Sequence, residues 1–159
     1  MRKGNEQVDQ VTKDGGIEDG NDESLTVAEI FRCLQKYFPG LRKDSGHSNY
    51  YIGEHKGQKY VIRCKNVTYL GNPHPHYKKR IQIADDLPEF YRFAQETGAK
   101  PLLMGIYSYG ENTIFVYFGI ETYIQKNSHN SSAHVYVQDL AAAAEDGYYE
   151  KCDFFDNYI

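Results

Sequence analysis

Two runs, Pro101 to Tyr109 and Thr113 to Phe118, flank Gly110-Glu111-Asn112 and are almost continuously apolar. Short apolar runs rich in aromatic and β-branched residues, on either side of a glycine-containing turn, predict a β-hairpin whose strands are covered on both faces. Such strands belong at the centre of a sheet. A two-stranded hairpin is barely stable by itself in water, so the remaining sequence has to supply flanking strands and covering helices.

Both kinds of cover are legible. Thr26-Val27-Ala28-Glu29 has the capping-box pattern, with Leu25 and Ile30 placed as its hydrophobic staple, and Val27, Ile30, Phe31, Leu34 and Phe38 recur at helical spacing until Pro39-Gly40. Asp86-Leu87-Pro88-Glu89 opens a second helix with Leu87, Phe90, Tyr91 and Ala94 on one face and Gly98 at its end. Gln138 to Ala144 begins a third, ended by Gly147. Asn49 to Ile52 and Lys59 to Lys65 form a further expected hairpin, in which Arg63 and Lys65 share one face and Ile62 and Cys64 the other. Arg80 to Ile83 and Ala133 to Val137 read as short strands. The expected fold is therefore α+β, a single domain over 24–159, mostly antiparallel sheet with two or three helices. Residues 1–23 are rich in Gly, Asp, Asn and Glu without periodic apolar positions, and are expected to form a disordered acidic tail. The closing segment YYEKCDFFDNYI ends without a turn signal, as though cut from a longer chain.

A chain of 159 residues, 40% of them hydrophobic, suits one moderate core. No run approaches the ~18 consecutive apolar residues of a membrane helix, and the first ten residues hold no signal-peptide stretch, so the expectation is a cytoplasmic protein without a membrane partner. Cys33, Cys64 and Cys152 are far apart and not at metal-ligand spacing, which predicts reduced thiols. The sequons at Asn66 and Asn130 then carry no meaning.

Net charge is −4, but it is unevenly spread. Residues 1–24 hold three basic and seven acidic side chains, and residues 145–159 hold one and five. Between positions 42 and 80 the balance reverses, with nine Lys or Arg against Asp44 and Glu54. A basic region between acidic ends suits a polyanion, because neutralised phosphates supply most sequence-independent affinity. The same charges also fit an ordinary solvated surface, and a pI of about 5.8 is low for a DNA-binding module.

Within that region NPHPHYKKR, Asn72 to Arg80, places two imidazoles between prolines, followed by an aromatic and three cations. Proline restricts the backbone, so His74 and His76 project at little entropic cost. The arrangement could bind a phosphate through the histidines with Lys78, Lys79 and Arg80, supply an acid and a base near neutral pH, or offer two metal ligands. A metal site wants three or four ligands, and no Cys, Asp or Glu is close in sequence. A Mg²⁺-dependent nuclease of the common restriction type needs a carboxylate two positions before a Lys on a strand. Arg63-Cys64-Lys65 has the Lys but Arg in place of the acid, with Glu54 the nearest substitute; Glu121 and Glu150 precede Tyr123 and Cys152 instead. SHNSSAHV, Ser128 to Val135, collects polar side chains able to hydrogen-bond bases or phosphates, without the context of a nucleophile elbow. Gly-rich phosphate loops, dinucleotide fingerprints and paired-Cys zinc patterns do not occur.

Taken together, GNPHPHYKKRIQI, FVYFGIETYIQKNSHNSSAHVYVQDL and GYYEKCDFFDN resemble the N-terminal part of certain type II restriction endonucleases, over roughly Tyr50 to Asn157. The resemblance implies double-stranded DNA as partner, with contacts from His74, His76, Lys78, Lys79, Arg80, Asn130, Ser131, Ser132 and His134. Arg63 and Lys65 join these on charge and strand position. In such enzymes the cleavage residues can lie in a later segment, so the resemblance implies DNA engagement and assigns no catalytic residue. It is compatible with a homodimer or a separate catalytic chain. Two other readings stay open: an endonuclease active by itself, using Mg²⁺ with His74, His76 and Glu54 or Glu121, and a non-enzymatic protein-interaction module built on the acidic ends.

Overall fold

At the centre lie the two apolar strands, and each neighbour in turn buries part of them. The computed structural model describes residues 7–47, 49–83, 87–124, 132–147, 151–152 and 157–158. In chain order the elements are β1 (Gln7–Val11), β2 (Ile17–Asn21), α1 (Val27–Gln35), β3 (Arg42–Lys43), β4 (Tyr51–His55), β5 (Gln58–Asn66), β6 (Thr68–Tyr69), β7 (Lys78–Gln82), α2 (Leu87–Glu96), β8 (Lys100–Tyr109), β9 (Asn112–Phe118), α3 (Ile120–Ile124), β10 (Ser132–Tyr136), α4 (Val137–Asp146), β11 (Lys151–Cys152) and β12 (Asn157–Tyr158). A seven-stranded sheet has the order β11-β12-β9-β8-β5-β4-β3, a three-stranded sheet β10-β7-β6, and β1 and β2 pair as a hairpin. All pairings are antiparallel except β5 with β8. The chain is thus a single α+β domain of mostly antiparallel sheet. Three helices match those expected, and the five-residue α3 adds a short fourth. Asp86, expected to open α2, lies outside the described residues.

The large sheet buries both faces. On one, Ile30, Leu34 and Phe38 pack against Ile62, Met104 and Ile106. Thr26 and Glu29 cap this helix reciprocally, each side chain taking the other's backbone N–H. Cys33 and Cys64 lie on this side as free thiols, and burial pushes the Cys64 thiol well up. On the other face Val61, Leu103, Tyr107, Val116 and Phe118 meet α2, α4, β1 and the inner side of the small sheet. Gly105 makes that last contact close. A Cβ there would come within 2.6 Å of Val67 Cγ2 and 3.0 Å of Ile81 Cγ2, so the absent side chain is what lets the small sheet sit down on the large one. No helix among the described residues is long and apolar enough to cross a membrane.

Residues 7–23 depart from the disordered acidic tail expected over 1–23. Val8 and Val11 of β1 are buried, and the hairpin is tied down by side-chain hydrogen bonds to residues far along the chain. The Tyr107 hydroxyl donates to Gln10 Oε1 at 2.7 Å and accepts from the Val11 N–H at 2.7 Å, while Asn112 Nδ2 donates to the Val11 carbonyl at 2.9 Å. Tyr109 donates to Glu18 Oε2, and the Gly110 N–H donates to Glu23 Oε1. Those partners replace the apolar area that the segment lacks. Residues 1–6 lie outside the description.

Candidate nucleic-acid interface

Strand β7 starts at Lys78, so alternation sorts the cations of KKR onto opposite faces. Lys79 and Ile81 point inward with Ala133 and Val135 of β10, and all four are buried. Lys78, Arg80 and Gln82 point outward. The antiparallel register sets Lys78 opposite Tyr136, Arg80 opposite His134 and Gln82 opposite Ser132; on the other side Thr68 stands opposite Arg80. Directly opposed side chains in such a pair lie about 4.5–5.5 Å apart at Cβ. The outer face of the small sheet is therefore a half-exposed patch in which two cations and an imidazole alternate with hydroxyl and amide groups. Lys78 and Arg80 form no ion pair among the described residues. Lys65 ties β5 to the end of this strand, its Nζ donating to the Gln82 carbonyl at 2.9 Å.

The other expected contact residues are placed differently. Lys79 is fully buried and donates to Asp22 Oδ1 at 2.8 Å, with its ammonium 5.7 Å from the Tyr107 ring centre. Asp22 also accepts from Gln10 Nε2 at 2.9 Å and from the Tyr69 N–H at 2.7 Å. Burial alone would raise the Asp22 carboxyl, but the Lys79 charge and these donors outweigh it and hold the group below the usual aspartate value. Lys79 thus anchors the N-terminal hairpin and does not reach a backbone phosphate in this conformation. Arg63 does share a face with Lys65, as expected, but that face is internal. Arg63 is 5% exposed, with its guanidinium 5.9 Å from the Tyr50 ring centre. Asn130 and Ser131 lie outside the described residues, while Ser132 and His134 are on the patch.

His74 and His76 are exposed on the loop that leads into β7. The loop is held by its own contacts. The Tyr69 hydroxyl donates to the His74 carbonyl, the His74 N–H donates to the Gly71 carbonyl at 3.0 Å, and the His76 ring meets Tyr69 edge-on at 5.6 Å. The Asn72-Pro73 peptide is cis. Among the described residues no three His, Cys, Asp or Glu side chains gather as a metal site. Glu54 is also poorly placed to assist the histidines. It pairs with Lys59 near the start of β5, about 23 Å along the strand from Asn66, where the chain leaves toward that loop. Glu121 is exposed on α3. A cleft of about 510 Å³ between Tyr37, β9 and the end of α4 is lined by Ile114, Phe115, Tyr117 and Ala143, with Lys13 as its one charged lining residue among those described.

Two features of the patch were not foreseen in the sequence: the part played by Tyr136, and the pairing of β7 with β10. The period-2 pattern of SAHVY, polar at 132 and 134 and apolar at 133 and 135, was the available signal. The model of the family described as Methylase-associated X1 matches residues 58–159. That span runs from β5 through every strand of the patch and leaves out β1, β2, Asp22, α1, β3 and β4. Comparisons with curated proteins and with solved structures gave no match.

Proposed function

Because the chain belongs to the methylase-associated X1 family, we propose that it is the DNA-engaging accessory domain of a restriction–modification system, working beside a methylase and gripping duplex DNA with the outer face of its small sheet. The observation that carries this reading is the β7–β10 register, which brings Lys78, Arg80, His134 and Ser132 to one half-exposed face from segments more than fifty residues apart in sequence. Cations on a rigid strand, with hydroxyl and imidazole groups between them, are the chemistry that positions a protein on a phosphate backbone. The family name supplies the setting. An endonuclease active by itself is the weaker reading, since Glu54 pairs with Lys59, far along β5 from the end that leads toward the histidine loop.

The test is fluorescence anisotropy of a labelled duplex against salt concentration. Changing Lys78 and Arg80 together to Ala removes two phosphate contacts, and the slope of log K against log salt should become shallower by about 1.8. An unchanged affinity and slope in that variant would refute the assignment of this face.

A further inference from the structure

Tyr37 and Tyr77 are exposed, and the two differ in setting. Tyr37 packs edge-on against Phe115 at 5.2 Å beside the apolar cleft. Tyr77 is 52% exposed and immediately precedes the cationic strand. It is nonetheless firmly held. Its carbonyl accepts from the Val137 N–H at 2.9 Å, the next residue's N–H donates to the Pro75 carbonyl at 3.1 Å, and its ring lies 6.3 Å from that of Tyr136. The residues before it are fixed by the Tyr69 contacts to His74 and His76. A ring carried on a backbone held in this way loses less entropy when a ligand lands on it than one on an untethered loop.

We propose that Tyr77 is a base-stacking residue, and that the basic face consequently prefers DNA with an unpaired base to a fully paired duplex. The inference rests on the DNA reading above and deepens it. In an intact duplex each base is covered by its neighbours and only base edges are offered in the grooves. A tyrosine face gains a partner only where a base has left the stack, while Lys78 beside it and Arg80 about 7 Å further along the strand hold the adjoining backbone. Enzymes that modify a base inside a duplex create that state by taking the base out of the helix, so the preference would direct the domain to DNA on which a methylase partner is acting.

The experiment uses two labelled duplexes of equal length and equal phosphate number, one fully paired and one in which a central thymine faces an abasic site and has no pairing partner. The full chain should bind the duplex with the unpaired thymine about tenfold more tightly. Tyr77→Ala should lose that preference while keeping the affinity for the paired duplex. Tyr77→Leu, which keeps apolar bulk against Tyr136, should lose it too, and Tyr77→Phe should retain it. Thermal melting of all three close to the parent protein is expected from the exposure of the site. Equal affinity of the parent for both duplexes, or a preference that survives Tyr77→Ala, overturns the stacking role. If the Lys78/Arg80 variant still weakens binding in that case, the DNA reading stands and only the stacking is lost. If neither duplex binds, both are overturned.

Discussion

Replacing Asp22 by Ala should leave the Lys79 ammonium at 0% exposure without its carboxylate, a more severe change than removing the lysine. Breaking a buried pair from the side that strands the other charge costs about 3–5 kcal/mol. Domains of this size lose about 2–4 °C of melting temperature per kcal/mol. Asp22→Ala should therefore lower Tm by about 6–20 °C, a large part of a total stability of about 5–15 kcal/mol. Lys79→Met keeps the stem's volume and leaves Asp22, 15% exposed, with the Gln10 and Tyr69 donors. Its loss should be smaller, about 1–3 kcal/mol. Thermal and urea unfolding followed by far-UV circular dichroism measure both, and DNA binding of Lys79→Met should keep the parent's salt slope. An Asp22→Ala protein melting within about 2 °C of the parent would refute the claim that the N-terminal hairpin is an integral, ion-paired part of the core.

Three further outcomes are expected. The folded-state Asp22 group sits below its ordinary value of about 3.9, so its contribution to stability is complete above about pH 4 and is lost as pH falls through the folded value; the gap in urea midpoint between the parent and Asp22→Asn should close in that acidic range. Gly105→Ala drives a methyl group into Val67 and Ile81 and should cost about 1–3 kcal/mol by urea titration, loosening the seat of the small sheet. Tyr107→Phe removes a hydroxyl that both donates to Gln10 and accepts from the Val11 N–H, and should destabilise by about 1–3 kcal/mol in the same assay, with faster amide exchange in β1.

Where the signal was local, the sequence was enough. The capping box at Thr26 and Glu29, the hairpin turn at Gly110 and the helix stop at Gly147 are short-range chemistry, and each is found where its residues point. Order in β1 and β2 was not legible because it depends on partners such as Tyr107, Asn112 and Lys79, far along the chain, while the only buried apolar side chains of the segment are Val8 and Val11. Lys79 was misplaced for a boundary reason. With the strand expected to begin at Arg80, Lys79 lay outside the alternation and was placed among the DNA contacts; a strand beginning at Lys78 turns it inward toward Asp22. Lys78, Arg80, Ser132 and His134 were each named as candidates, but nothing in one sequence shows that β7 pairs with β10, and that pairing makes a site of them.

The central claim is that DNA is held on the outer face of β7 and β10, and backbone amide NMR shifts during titration with a short duplex test it most directly. The account predicts perturbation concentrated at Lys78–Gln82 and Ser132–Tyr136, with Arg42 and Lys43, the exposed cations on the far edge of the large sheet, unmoved. Shifts centred on Arg42 and Lys43, or none anywhere at low salt, would contradict it.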